Sequence, residues 1–95
     1  GMEKGNCYGV ASAFAVQAKR ATGLPVRVCW GKSNVFNKNK WQPHGWTEIK
    51  IGNTWYTFDA NAAGNKSRKD VKYYMQKSSS MKKYYKTEGR EDIVL

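Results

Sequence analysis

The feature that most constrains this chain is a cysteine at the beginning of a predicted amphipathic helix. Cys7 follows Asn6, whose side-chain oxygen can accept a backbone N–H of the first turn, so we expect Asn6 to be the N-cap. Small and apolar residues then recur at helical spacing and predict one buried face, formed by Cys7, Val10, Ala11, Phe14 and Ala18. Cys7 therefore falls in the first turn, where the helix dipole favours a thiolate over a thiol. This is the environment that a nucleophilic cysteine needs.

Length and composition allow one domain with a modest core. Of the 95 residues, 40% are hydrophobic and 14% are aromatic, so aromatic side chains supply much of the burial. The formal net charge of +10 suits a polyanionic partner such as nucleic acid, teichoic acid or anionic lipid, but it is more often simply the soluble surface of a basic protein. The chain has no zinc-ligand spacing and no RNP-type motif, so no specific nucleic-acid binding is expected. No segment approaches the roughly 18 apolar residues that span a membrane.

Turn residues divide the first half of the chain into elements. The first helix is predicted from Cys7 to Thr22, because Gly23 provides a C-cap and a proline two residues later prevents continuation. The alternating, β-branched residues 25–30 predict a first strand. The polar residues 31–42 predict a loop, and a long loop in a small domain is usually functional or mobile.

Gly52-Asn53 joins two strand-like runs, residues 43–51 and 54–60, and predicts a hairpin with a two-residue turn. In that register Trp46 pairs with Asp59, and Asp59 is the diagonal neighbour of His44, within reach of a carboxylate–imidazole hydrogen bond. A one-residue bulge would instead put His44 and Asp59 on opposite faces. One face of the hairpin carries His44, Trp46, Glu48, Thr57, Asp59 and Asn61, and the face expected to pack on the helix carries Ile49, Ile51, Tyr56 and Phe58.

The last third of the chain gives weaker signals. Residues 61–66 predict a loop, and the capping-box spacing of Ser67 and Asp70 predicts a short helix that continues to about Gln76. Residues 81–86 predict a final strand with Tyr84 and Tyr85 on opposite faces. The residues from position 89 onward are expected to fray.

Three side chains together indicate a thiol-dependent enzyme. A thiol nucleophile needs a base within hydrogen-bond reach and a third group that holds the base in the useful tautomer. Cys7, His44 and Asp59 meet this requirement, and His44 is the only histidine in the chain. Each residue alone has a structural explanation, namely a core cysteine, a structural histidine and a capping aspartate. A disulfide between Cys7 and Cys29 is a further alternative, and it would leave Cys7 unreactive.

Four segments, in order along residues 5–60, resemble the transglutaminase-like superfamily, which is related to papain-like cysteine proteases. They are Gly5-Asn6-Cys7, Thr22-Gly23-Leu24-Pro25-Val26-Arg27-Val28, His44-Gly45-Trp46-Thr47-Glu48-Ile49 and Trp55-Tyr56-Thr57-Phe58-Asp59-Ala60. The resemblance implies an α+β fold, in which the cysteine-bearing helix packs on an antiparallel sheet, and one domain over residues 1–95. It implies Cys7 as nucleophile, His44 as general base and acid, and Asp59 as the group that orients His44. No metal or other cofactor is expected.

Two features depart from the family pattern. Members usually have sequence before the cysteine that completes the domain and contributes an oxyanion-hole side chain. Gly1-Met2 is typical of a remnant of cloning, so we expect the chain to be a trimmed piece of a larger protein. The backbone N–H of Cys7 can donate to an oxyanion, and Gln42 is the candidate for the second donor, with a solvated loop glutamine as the alternative. Cys29, on the first predicted strand, is expected to be a small buried side chain.

The expected reaction is acyl transfer from an amide bond of a peptide or protein. Water would resolve the thioester in a peptidase or amidase, and a lysine amine would resolve it in a cross-linking enzyme. Trp30, Trp41 and Trp46 could line an amine channel, although aromatic residues in so small a domain are more often core. Hydrolysis is favoured, because bacterial members of the superfamily often resemble proteases. The alternative is a catalytically silent module of the same fold, extracellular or at the cell surface, that binds an anionic cell-wall polymer.

Overall fold

A computed structural model describes residues 5–95, and the expected cloning remnant Gly1-Met2 lies outside the described residues. The two α-helices are α1 (Gly5–Thr22) and α2 (Ala60–Ala63), a 3-10 helix spans Ser78–Ser80, and the strands are β1 (Val26–Ser33), β2 (Gln42–Ile51), β3 (Thr54–Phe58), β4 (Gln76–Lys77) and β5 (Tyr85–Asp92). The strands form one sheet in the order β4-β3-β2-β1-β5, and every neighbouring pair is antiparallel. Helix α1 packs on this sheet, so the predicted α+β fold is confirmed. Neither helix is long and apolar enough to cross a membrane.

Helix α1 begins earlier than the sequence predicts. Asn6 lies inside the helix, so its prediction as the N-cap was wrong, and Cys7 still falls in the first turn. The helix ends at Thr22 as predicted. Gly23 follows with φ +69°, and its N–H donates to the Lys19 carbonyl at 2.9 Å. A glycine adopts this left-handed conformation without the steric cost of a Cβ, which explains the sharp end of the helix.

One face of the sheet receives α1. Ala11 and Ala15 pack in a buried cluster with Val26, Val28 and Ile49, and Phe14 stacks on Phe58 with ring centroids 5.8 Å apart. The small alanine side chains allow close approach of helix and sheet. The hydroxyl of buried Thr47 donates to the Ala11 carbonyl at 2.8 Å and adds a polar tie at the centre of this contact.

The hairpin has the predicted register. Ile51 pairs with Thr54 and Thr47 pairs with Phe58. Strand β3 ends at Phe58, so the predicted strand 54–60 is too long, because Asp59 turns the chain into α2. Of the residues predicted to pack on the helix, Ile49 and Phe58 do so, whereas Ile51 is 37% exposed beside the turn.

The predicted loop 31–42 is shorter in the structure, because β1 continues to Ser33 and β2 begins at Gln42. Strand β1 extends between two partners, and its pairing with β5 has an irregularity between Trp30 and Gly31. A Cβ at Gly31 would overlap the backbone carbonyl of Lys86. Glycine is therefore needed where β5 crosses this irregular point.

The C-terminal elements differ most from the sequence predictions. The described residues 67–76 contain no helix, because Ser67 donates its hydroxyl to the Ala62 carbonyl and Arg68 pairs with Asp70 at 2.7 Å, so neither predicted capping side chain caps a helix. The final strand runs over Tyr85–Asp92 and not over residues 81–86. The residues predicted to fray, from position 89 onward, pair with β1 as far as Asp92.

The second face of the sheet is covered by the segments that follow the hairpin and by the loop between β1 and β2, which contributes Val35. Its buried cluster contains Cys29, Val35, Trp46, Ala62, Val71, Met81 and Tyr85. The sheet therefore lies between α1 on one side and irregular chain on the other. Residues near the beginning of β2 are therefore covered by α1 on one face of the sheet and by this irregular chain on the other.

Candidate active site

His44 and Asp59 meet at the ends of the hairpin strands. His44 Nε2 lies 2.7 Å from Asp59 Oδ2, and the two residues are 3% and 0% exposed. A carboxylate can only accept a hydrogen bond, so we assign the ring proton to Nε2. The other ring nitrogen, Nδ1, then keeps its lone pair available for a proton.

Asp59 is fixed because its carboxylate also ends the strand and begins the next helix. It is the N-cap of α2, and its Oδ1 accepts the backbone N–H of Ala62 at 3.0 Å. Its Oδ2 accepts from His44 and from the hydroxyl of Tyr85, which is also 2.7 Å away. An aspartate at the end of a strand is ordinarily a cap or an orienting group, and Asp59 makes both kinds of contact.

Aromatic rings enclose the imidazole of His44. Phe36 meets it edge-on with a centroid distance of 5.2 Å, and Trp46 and Tyr85 lie nearly parallel to it at 6.1 and 6.3 Å. Nδ1 is buried and has no hydrogen-bond partner in the described part of the chain. A buried, unpartnered ring nitrogen is costly in a finished core, so it marks a position where another group is expected.

Cys7 is half-buried in the first turn of α1, and no hydrogen bond joins it to His44 among residues 5–95. The backbones beside the two residues nevertheless touch. A Cβ at Gly45 would lie 3.0 Å from Tyr8 Cα and 3.3 Å from Tyr8 N. Because Tyr8 follows Cys7 and Gly45 follows His44, this contact sets the turn that carries the thiol against the strand that carries the imidazole.

The second cysteine is in a different environment. Cys7 and Cys29 are both free, so the alternative of a disulfide between them was wrong. Cys29 is fully buried opposite Trp46, as a small side chain of the core. Burial raises the pKa of the Cys29 thiol, and the negative charge of Glu48 adds to the effect. Cys29 is therefore held as an unreactive thiol.

The other residues singled out from the sequence are dispersed around this site. Gln42 is half-buried at the start of β2, opposite Ser33. Trp30 is half-buried and meets Tyr8 edge-on at 5.8 Å, and Trp41 is half-buried below the Lys86 ammonium group, 4.0 Å from the ring centroid. Trp46 is 1% exposed, so no face of its indole is open to a ligand.

Tyr85 contacts the site and was missed from the sequence. Alternation along the predicted strand put Tyr84 and Tyr85 on opposite faces, but it gave no indication of which residue either hydroxyl would meet. Tyr85 lies 26 positions beyond Asp59, and the intervening chain has little regular structure. Only the tertiary arrangement brings the two side chains together.

A basic cleft of about 390 Å³ lies on the same face of the sheet, beside Tyr85. The Arg27 guanidinium stacks on Trp55 at 3.7 Å and donates to the buried Glu48 carboxylate at 2.7 Å. Arg90 approaches the same carboxylate at 3.7 Å, and Lys82 also lines the cleft. Residues 5–95 contain no group of three or more His, Cys, Asp or Glu side chains arranged to hold a metal ion.

Comparison with protein families matches residues 2–60 to the model described as the transglutaminase-like superfamily. The matched region contains Cys7, His44 and Asp59, and it leaves residues 61–95, with Tyr85, outside. No curated protein and no solved structure matches the chain.

Proposed function

Since the chain belongs to the transglutaminase-like superfamily, we propose that it is a cysteine-dependent acyl-transfer enzyme acting on amide bonds of peptides or proteins. The observation that carries the proposal is the buried hydrogen bond between His44 Nε2 and Asp59. It leaves Nδ1 of His44 unpartnered next to the chain segment that contacts the first turn of α1. That turn carries Cys7 at the positive end of the helix dipole.

The first half-reaction needs one base and one nucleophile. His44 Nδ1 takes the thiol proton, and the Cys7 sulfur attacks the amide carbonyl carbon while the carbonyl π electrons move to oxygen. The oxygen electrons then re-form the carbonyl, the C–N bond breaks, and His44 gives its proton to the leaving amine. Asp59 holds the ring in the Nε2–H form and stabilises the imidazolium between the two proton transfers.

The second half-reaction resolves the thioester. His44 takes a proton from water, the hydroxide oxygen attacks the thioester carbon, and the C–S bond breaks to release a carboxylic acid and the Cys7 thiolate. We favour hydrolysis over cross-linking to an amine. Cross-linking requires a channel that shields the thioester from water, and Trp46, which would complete a tryptophan channel with Trp30 and Trp41, is enclosed in the core.

Two donors are proposed for the oxyanion. The first turn of a helix has backbone N–H groups without intrahelical partners, and the N–H of Cys7 is one of them. The Gln42 side chain lies two positions before His44 and so shares its face of β2. Gln42→Ala is expected to lower kcat more than it changes KM, as the loss of a transition-state donor does.

Thiol labelling tests the proposal directly. We expect iodoacetamide to alkylate Cys7 faster than Cys29 at neutral pH, because Cys29 is buried with a raised pKa. His44→Ala should lower the labelling rate of Cys7 and leave that of the buried Cys29 unchanged. Peptide mapping by mass spectrometry gives both rates from one sample, so Cys29 serves as an internal reference. Equally slow labelling of the two thiols would contradict an activated Cys7.

An acyl-donor probe distinguishes the enzyme from a silent module. A peptide with an activated ester should leave a covalent adduct on Cys7, and the adduct should decay in water without an added amine. The basic cleft beside Tyr85 favours the second candidate function, which is binding of an anionic cell-wall polymer. Teichoic acid binding that falls with salt, with no adduct on Cys7, would support that function and contradict the enzymatic one.

A further inference from the structure

One hydroxyl connects the region outside the superfamily match to the proposed catalytic pair. Tyr85 OH donates to Asp59 Oδ2 at 2.7 Å, the same oxygen that accepts from His44 Nε2. We infer that Tyr85 is a positioning residue, which fixes the Asp59 carboxylate and limits how strongly that carboxylate stabilises the protonated His44 ring. This inference rests on the proposed function for the roles of His44 and Asp59.

The surroundings of Tyr85 keep its hydroxyl as a donor. Tyr85 is 6% exposed at the start of β5, and its ring contacts Trp46 with a centroid distance of 4.7 Å. Burial raises the pKa of the Tyr85 hydroxyl, and the negative charge of Asp59 and the hydrogen bond to it raise it further. The phenol therefore stays protonated and donates throughout the pH range in which an enzyme works.

The acceptor capacity of Asp59 explains why a third donor matters. Oδ1 accepts from the Ala62 N–H, and Oδ2 accepts from both His44 and Tyr85. Each donor draws on the same negative charge, so Asp59 is a weaker partner for the imidazolium than a carboxylate that accepts from His44 alone. The Tyr85 contact also prevents rotation of the carboxylate, so the ring of His44 and its Nδ1 keep one orientation.

Few other groups near His44 can titrate. Phe36 and Trp46 face the ring from the loop and from β2, and neither ionises. Asp59 faces it from the end of β3 and Tyr85 from β5, and the α1 turn that carries Cys7 contacts the backbone of the next residue, Gly45. The nearest further charge on this face of β2 is Glu48, which is paired with Arg27 and Arg90. Loss of the Tyr85 hydroxyl should therefore be visible in the titration of His44.

The test is Tyr85→Phe, which removes one oxygen and keeps the ring in the core. His44 is the only histidine, so its ring Cε1–H gives a single titrating NMR signal. We expect the midpoint of that titration to rise by about 0.5 to 1 pH unit, because Asp59 then accepts more strongly from the imidazolium. The matched control is Tyr73→Phe, whose lost hydroxyl donates to the Arg68 carbonyl at 2.8 Å, and it should leave the midpoint unchanged.

An unchanged midpoint in Tyr85→Phe, or an equal shift in Tyr73→Phe, would overturn the inference. If Tyr85→Phe does not fold, the inference is tested by an NOE measurement on the wild-type protein. Two donors to one oxygen place their protons close together, so the Tyr85 hydroxyl proton should show an NOE to the His44 Nε2 proton, and its absence would also overturn the inference. Neither measurement needs turnover. A shifted midpoint with no labelling advantage of Cys7 would support the geometry and contradict the proposed function.

Discussion

Adding one methyl group at Gly45 is expected to separate the turn that bears Cys7 from the strand that bears His44. The new Cβ would lie 3.0 Å from Tyr8 Cα, 3.3 Å from Tyr8 N and 3.5 Å from the Cys29 carbonyl oxygen. Favourable contacts between heavy atoms lie at about 3.5 to 4.0 Å. All three neighbours are backbone atoms, so no side-chain rotation relieves the overlap. The first turn of α1 must move away from β2 by several tenths of an ångström.

The size of the effect follows from that displacement. Overpacking of one methyl group in a dense interior costs about 1 to 3 kcal/mol of unfolding free energy. A catalytic group misplaced by roughly 1 Å can lose about a hundredfold in rate. The displacement here is smaller than about 1 Å. We therefore expect iodoacetamide to label Cys7 about tenfold more slowly in the Gly45→Ala protein than in the wild type. The labelling rate of Cys29 should change only as far as the folded fraction of the protein changes.

Gly9→Ala is the matched control, because it adds the same methyl group to α1 at a place with no atom within 4 Å. Replacing a helical glycine by alanine should raise the unfolding free energy by about 0.5 to 1 kcal/mol and leave Cys7 labelling unchanged. Urea unfolding gives the stabilities, and iodoacetamide labelling gives the rates. A Gly45→Ala protein that is destabilised but labels as fast as the wild type would refute the link between this contact and thiol reactivity.

Three further predictions use the same assays. Thr47→Val removes the hydrogen bond from the Thr47 hydroxyl to the Ala11 carbonyl and keeps a side chain of nearly the same shape. It should lower the unfolding free energy measured in urea by about 1 kcal/mol. Asp59→Asn should slow Cys7 labelling as strongly as Asp59→Ala, while destabilising less, because alanine leaves three buried donors unpaired at about 1 to 3 kcal/mol each. Because the folded-state pKa of Tyr85 is raised above the usual tyrosine value of about 10, its contribution to stability is complete below that pH and decreases above it, by about 1.4 kcal/mol per pH unit. Tyr85→Phe should flatten that decline in urea unfolding at alkaline pH.

The parts of the fold that the sequence predicts are local. The two-residue turn Gly52-Asn53 sets the register, and the period of two then puts His44 and Asp59 within reach of each other. The end of α1 is equally local, because Gly23 adopts a positive φ that other residues avoid. Such signals depend on neighbours within a few positions, so tertiary contacts did not alter them.

The parts that the sequence did not predict depend on distant partners. Asp70 has the spacing of a capping-box residue, but its carboxylate accepts two hydrogen bonds from the Arg68 guanidinium and caps no helix. Strand β5 has a polar, charged sequence typical of a frayed segment, and it is ordered because β1 supplies its hydrogen bonds. The contact between Tyr85 and Asp59 follows from that pairing, so no pattern within either segment predicts it.

Strand β1 lies between β2 and β5, and its two neighbours become available at very different times during synthesis. Residues 42–51 leave the ribosome soon after residues 26–33, whereas residues 85–92 leave much later. Until then one edge of β1 has unpaired backbone groups, which is a hazard for association between nascent chains. The Asp59 carboxylate also lacks its Tyr85 donor during that interval, so Cys7, His44 and Asp59 are all present on the growing chain before their environment is complete.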